Sequence, residues 1–169
     1  MRIIGIDPGL TLTGYGCVDC RAGREPRLVE AGVLRLTARA PIAYRLAQLQ
    51  EDLCEVLDEL GPDLMVVEQL FAHYKHVRTA MIMGHARGVI LLAAQMRGIE
   101  LDELAPTEVK KAITGNGHAT KRQMQLSVMA QCGLTEMPEP PDVADAIALA
   151  LCTGRRISCR GLGAAEATM

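Results

Sequence analysis

Along the chain the spacing of apolar positions switches between two periods, and the switches mark the elements. Arg2-Ile3-Ile4-Gly5-Ile6-Asp7 reads as a buried strand that stops at the turn signal Pro8-Gly9. Gly14 to Val18 and Leu28 to Leu36 read as two further strands, separated by a turn over Arg21 to Arg27 that contains Gly23 and Pro26. Three strands on short connections predict an antiparallel meander. From Pro41 to Leu60 the apolar residues fall at Ile42, Leu46, Leu49, Leu53, Val56, Leu57 and Leu60. Spacings of three and four predict an amphipathic helix, opened by Pro41 and stopped by Gly61-Pro62. Leu64 to Glu68 is a short buried strand, Thr79 to Arg97 a helix, and Ile99 to Leu104 a fifth strand. A helix then opens at Pro106 and ends before Gly115, and others follow over Lys121 to Gln131 and Val143 to Arg155. The Thr79 to Arg97 helix is apolar on two neighbouring faces. Ile82, Val89, Ala93 and Met96 lie along one, and Met83, Ile90 and Ala94 along the other, so it is expected to pack on the core and on something else.

Strands that alternate with helices in the second half imply right-handed parallel crossovers. The expected architecture is α/β, a five-stranded mixed sheet with helices on both faces. Residues 1–155 are expected to form one domain, and the Gly- and Ala-rich residues 156–169 a flexible tail. At 169 residues and 49% hydrophobic, the chain can bury a sizeable core, which with only 2% aromatic residues must be built from Ala, Val, Ile, Leu and Met. Its longest apolar run, Val89 to Ala94, is too short to span a bilayer, and no basic-then-apolar leader opens the sequence, so a cytoplasmic protein is expected. The six cysteines are irregularly spaced and suit reduced thiols. Cys17 and Cys20, three apart along a strand, point to opposite faces and do not share a metal. A formal charge of -2 weighs against a nucleic-acid binder. The cations nevertheless cluster: Lys75, Arg78 and Arg87; Lys110, Lys111, Lys121 and Arg122; Arg155, Arg156 and Arg160.

The chemistry resides in carboxylates. Asp7 and Glu68 each end a buried strand, where an acid is costly unless something positive satisfies it. They either cap their strands toward solvent or, if the strands are neighbours, converge. Asp142 and Asp145, three apart at the start of a helix behind Pro140-Pro141, share one face near the positive end of the helix dipole. Simple N-capping explains Asp142 equally well. Asp145 leads into a stretch with no other charge until Arg155, which presses it toward the protein. Four acids with no partner His or Cys suit a hard cation such as Mg2+. Two such ions can stabilise both the attacking and the leaving oxygens of a phosphoryl displacement. His73, His76, His85 and His118 form no zinc-like set and read as surface or DNA-contacting residues. Phe71, the single Phe, is either a core residue or a wedge that stacks on an unpaired base. Thr114-Gly115-Asn116-Gly117-His118 is at minimum a turn, and with Lys121 it offers amides and an amine to a phosphate.

Five motifs in order resemble the RuvC family: Gly5-Ile6-Asp7-Pro8-Gly9 with Thr13-Gly14-Tyr15-Gly16; Val67-Glu68-Gln69-Leu70-Phe71; Gly84-His85-Ala86-Arg87-Gly88; and Asp142-Val143-Ala144-Asp145-Ala146. The resemblance runs from about residue 1 to 155. It implies an RNase H-like fold and a homodimeric endonuclease that resolves Holliday junctions in recombination and repair. Symmetric, metal-dependent cuts would leave 5′-phosphate and 3′-hydroxyl ends. It assigns the metal and catalytic acids to Asp7, Glu68, Asp142 and Asp145, with Mg2+ (two per site, replaceable by Mn2+) as cofactor. Lys110 and Lys121 match lysines near the scissile phosphate, although adjacent Lys111 leaves open which of the two approaches it. Phe71 matches the junction wedge, and Lys75, Arg78, Lys111 and Arg122 are expected DNA contacts. The apolar helix after Glu68 matches the dimer helix, and the expected partners are a four-way junction and the RuvA–RuvB branch-migration complex. In the loop after Phe71 many relatives carry an Asn where this chain has His73-Tyr74-Lys75-His76, a departure that bears on junction recognition. The alternatives are a non-catalytic junction binder and a kinase or actin-like ATPase, which would need a second phosphate loop and an adenosine site that this sequence lacks.

Overall fold

The first strand, β1 (Arg2–Asp7), lies at the centre of the sheet, with Ile3, Ile4 and Ile6 all fully buried. A strand apolar on both faces needs cover on both sides. The structure, a computed structural model, describes residues 1–69 and 77–166, with side chains placed over 1–69 and 79–159. β2 (Leu12–Asp19) and β3 (Arg27–Arg35) continue from β1 as the antiparallel meander. Helix α1 (Ile42–Leu60) leads to β4 (Leu64–Glu68), which pairs parallel to β1 on its other side. Helix α2 (Val77–Met96) leads to β5 (Glu100–Leu104), parallel to β4. The sheet order is β3-β2-β1-β4-β5, followed in sequence by α3 (Pro106–Thr114), α4 (Lys121–Cys132) and α5 (Pro141–Glu166).

Each face of the sheet carries its own core. On one side Ile3, Val18, Val66 and Leu104 pack against Val109 and Ile113 of α3, Met124 and Val128 of α4, and Ala144, Ile147 and Ala148 of α5. On the other, Ile4, Ile6, Cys17, Met65 and Val67 pack against Leu49, Leu53 and Leu57 of α1 and Ala86, Ile90, Ala93 and Ala94 of α2. Cys17 and Cys20 fall in opposite cores.

Small residues set how closely α5 approaches the sheet. A Cβ added at Gly5 would lie 2.1 Å from the Ala146 carbonyl oxygen, and one at Gly14 would lie 2.1 Å from the Asp142 carbonyl oxygen. No side chain fits in that space. The helix therefore rests its backbone on the strands and holds its first turn beside the end of β1.

Some details depart from the sequence pattern. The last helix was expected to end at Arg155, with residues 156–169 as tail, but α5 runs on to Glu166. Beyond Arg155 it still has attachments: Arg156 pairs with Glu108 of α3, Ile157 packs on the core, and the Ser158 hydroxyl donates to the Arg21 carbonyl at 3.4 Å. Met96, grouped by period with Ile82, Val89 and Ala93 of α2, is 71% exposed. The helix stops there, so no sheet lies beneath its last residue.

Candidate active site

Asp7 and Glu68 are the last residues of neighbouring parallel strands. The register Ile6↔Val67 brings them level, one inter-strand spacing of about 4.8 Å apart. Asp142 and Asp145 come from the first turns of α5, set against β2 at Gly14, the register partner of Asp7. Lys110 comes from α3, and Lys121 is the first residue of α4. With Pro8, Met83, Pro106 and Met124, these six side chains line one open cleft of about 280 Å³. Acids distant in sequence thus share a single concavity.

Local hydrogen bonds fix each piece. After Asp7 the chain turns through Pro8 and Gly9. Fully buried Thr13 locks that turn, its hydroxyl donating to the Gly9 carbonyl at 2.7 Å and accepting from the Gly9 amide at 3.2 Å. The end of β4 is held by Arg87 of α2, whose guanidinium donates to the Glu68 carbonyl at 2.5 Å and pairs with Glu103 of β5. Gln69 adds an amide bond to the Leu104 carbonyl at 2.9 Å. Lys121 is placed by a capping box in which Thr120 and Gln123 exchange side-chain and backbone bonds. In the preceding turn the Asn116 side chain accepts the His118 amide at 2.9 Å, so that amide is not free for a phosphate.

The electrostatics are those of crowded, poorly hydrated anions. Burial lifts the Asp7 carboxyl to about 8, with further upward pressure from Glu68, Asp145 and Asp142 and an opposing pull from Lys121. Burial also raises Glu68, with Asp145 adding to it and Lys110 and Lys121 opposing. Asp145 is raised by burial and by Asp142, against both lysines. Among the described residues two lysines thus face four acids.

An all-oxygen donor set with excess negative charge, open to solvent, fits a hard divalent cation that keeps part of its water or binds phosphate. Asp7, Glu68, Asp142 and Asp145 would hold it. Among the described residues no three His, Cys, Asp or Glu side chains are already drawn into a metal-binding cluster.

Lys110 lines the cleft and Lys111 does not; Lys111 is exposed on α3, as is Arg122 on α4. Phe71 and Lys75 lie outside the described residues, and Arg78 is described only as part of the α2 backbone. Arg87, grouped by sequence with the open cations, has a side chain only 12% exposed and anchors Glu68 instead. The sequence carried no signal for that role or for the Thr13 lock, since both depend on partners brought near by the fold.

A family model described as "Crossover junction endodeoxyribonuclease RuvC" matches residues 3–153. A protein of that name from Rhodopirellula baltica is 49% identical over 150 residues, covering 89% of this chain and 84% of its own. The RuvC protein of T. thermophilus, solved in complex with a Holliday junction substrate, superposes with a TM-score of 0.85 at 33% identity, covering 95% of this chain and 97% of its own. The yeast mitochondrial Holliday junction resolvase Ydc2 shares the fold, with a TM-score of 0.63 at 13% identity.

Proposed function

The chain belongs to the RuvC family of crossover junction endodeoxyribonucleases, and from that premise we propose that it resolves four-way DNA junctions by Mg2+-dependent hydrolysis at the carboxylate cleft. The observation that carries this reading is the convergence of Asp7, Glu68, Asp142 and Asp145 with two lysines in one open cleft. Water adds to the phosphorus, the bond to the 3′ oxygen breaks, and that oxygen leaves with a proton, giving 5′-phosphate and 3′-hydroxyl ends. When bound, Mg2+, for which Mn2+ can substitute, supplies positive charge to the phosphoryl oxygens and to the entering and leaving oxygens. Lys110 and Lys121 set fixed cations where negative charge grows on the phosphoryl group. Asp7, whose carboxyl burial raises to about 8, is the ligand whose charged form gains most from a cation.

Symmetric cutting requires two sites, and α2 supplies a surface to join them. Met81, Leu92 and Met96 are exposed on it at 62%, 55% and 71%. They are spaced with Gly84 and Gly88 along one helical face, and a Cβ at either glycine would meet nothing within 4 Å. Glycine inside a helix costs about 1 kcal/mol relative to alanine. Among the described residues these two relieve no crowding, and a second copy packed along α2 accounts for them. The RuvA–RuvB branch-migration complex is the proposed partner on the junction. Among the described residues no helix is long and apolar enough to cross a membrane.

The test is a synthetic four-way junction incubated with the protein in Mg2+ and in EDTA. Paired nicks formed only in Mg2+, sealed by ligase without further processing, are expected. Intact DNA in a shifted band under both conditions would point instead to a non-catalytic junction binder.

A further inference from the structure

A cleft lined by four acids repels a polyanion, so affinity for DNA has to come from cations around it. On one side stand Lys110, Lys111, Lys121 and Arg122 of α3 and α4. The opposite side has a basic group of its own. Between residues 31 and 50 the sequence carries Arg35, Arg39 and Arg45 and no acid, in a chain whose formal charge is -2.

The fold brings these three to the site end of the sheet. Arg35 ends β3 opposite Leu12 of β2, while Asp7 lies opposite Gly14, two residues back on the same strand. β3 is two strands from β1, so Arg35 stands on the order of 10 Å from the end of β1. Arg39 lies in the short connection to α1. Arg45, in the first turn of α1, donates to the Thr11 hydroxyl at 3.2 Å, and the Thr11 carbonyl accepts the Leu36 amide at 3.0 Å. Thr11 belongs to the loop that begins just after Asp7. The basic group is therefore attached to the same loop that ends the carboxylate strand.

Its charges are also uncommitted. Arg2, Arg87, Arg97, Arg155 and Arg156 all form ion pairs, whereas among the described residues none of Arg35, Arg39 or Arg45 does. Arg35 and Arg39 are exposed, and the half-buried Arg45 has an Nε donor with no hydrogen-bond partner. The first turn of α1 adds charge of the same sign, since it has neither a side-chain cap nor an acidic residue.

We propose that Arg35, Arg39 and Arg45 form a second phosphate-contacting surface, which holds the backbone of a DNA arm leaving the cleft on the side away from Lys110 and Lys121. This rests on the nuclease reading above and adds to it a bound arm on the α1 side. The contacts are to phosphates, so they set affinity and arm direction and carry no base preference.

The test is binding of a fluorescent four-way junction in EDTA over a series of salt concentrations, for wild type, for Arg35→Ala/Arg39→Ala, and for Arg21→Ala/Arg24→Ala. The last pair removes the same charge from the exposed hairpin at the opposite end of the sheet. Each lost phosphate contact lowers the slope of log K against log salt by about 0.9. The Arg35/Arg39 variant is expected to lose about 1.8 from the slope for each subunit on the junction, about 3.6 for the dimer, the Arg21/Arg24 variant to keep the wild-type slope, and both to keep the wild-type Tm. A wild-type slope in the first variant, or an equal loss in both, overturns the proposal while junction cutting by wild type leaves the nuclease reading intact. A wild-type protein that neither binds nor cuts the junction overturns both.

Discussion

Asp7 shows most plainly how the cleft makes one residue costly to ionise. Its carboxyl is lifted to about 8, first by burial and then by Glu68, Asp145 and Asp142. In an unfolded chain an aspartate titrates near 3.9. Between those values the folded protein binds more protons than the unfolded one, so stability falls as pH rises and the fall is complete above the folded value. Glu68 and Asp145 are shifted in the same direction. In EDTA, urea unfolding is therefore expected to show lower stability at pH 8 than at pH 5. Asp7→Asn, which removes the buried charge, should be more stable than wild type at pH 8 with a flatter pH dependence. Equal pH slopes for the two proteins would contradict this. At this scale the sequence disclosed which acids sit at costly positions, because an apolar run ending in a carboxylate is visible in one dimension. It did not disclose that Arg87 serves Glu68, because the guanidinium reaches a backbone carbonyl 19 residues away that only the α2 crossover brings near.

At the scale of elements, periodicity located the strands and helices, but contact between them was decided by glycines. β1 and β4 have the bounds their apolar runs predict, and α1 begins and ends at its proline and glycine signals. β2 starts earlier than its pattern, at Leu12, because Thr13 closes the turn onto Gly9. The close seat of α5 on β1 and β2 was illegible: Gly5 and Gly14 look like ordinary strand interruptions until the helix is seen to occupy their missing side chains. Gly14→Ala should push the first turn of α5 away from β1 and take Asp142 and Asp145 with it. Overpacking of this kind costs about 1–3 kcal/mol, and the misplaced acids should lower the cleavage rate by more than the loss of folded protein accounts for. Thermal melting and single-turnover cutting measured together check this. A variant with wild-type Tm and wild-type rate would show that the contact does not position the site.

At the scale of the molecule, the sheet lies between the core under α3, α4 and α5 and the core under α1 and α2. The α3–α4–α5 side and the strand ends, with Met83 of α2, line the cleft, while another face of α2 leaves Met81, Leu92 and Met96 in water. The sequence anticipated that α2 is apolar on two faces, but neither group of residues it named held Met81 or Leu92, and Met83 lines the cleft. Period alone cannot tell which of two greasy faces meets the sheet. With Leu92→Glu, sedimentation velocity is expected to show a shift from dimer to monomer with the fold retained, and paired nicking of a junction should fall to unpaired nicks or none. A wild-type protein that sediments as a monomer at micromolar concentration would remove the α2 interface from the account.

In the proposed mechanism Asp7, Glu68 and Asp145 act as one unit on a shared cation. The most direct measurement is single-turnover cleavage of a four-way junction in Mg2+ by Asp7→Asn, Glu68→Gln, Asp145→Asn and the Asp7→Asn/Glu68→Gln double variant, with junction affinity measured alongside. Residues that act as a unit give grossly non-additive losses. Each single change should bring cutting down to nearly the level of the double variant, while affinity for the junction stays within a few-fold of wild type. Single variants that still cut at a substantial rate, with losses that multiply in the double variant, would contradict a shared site.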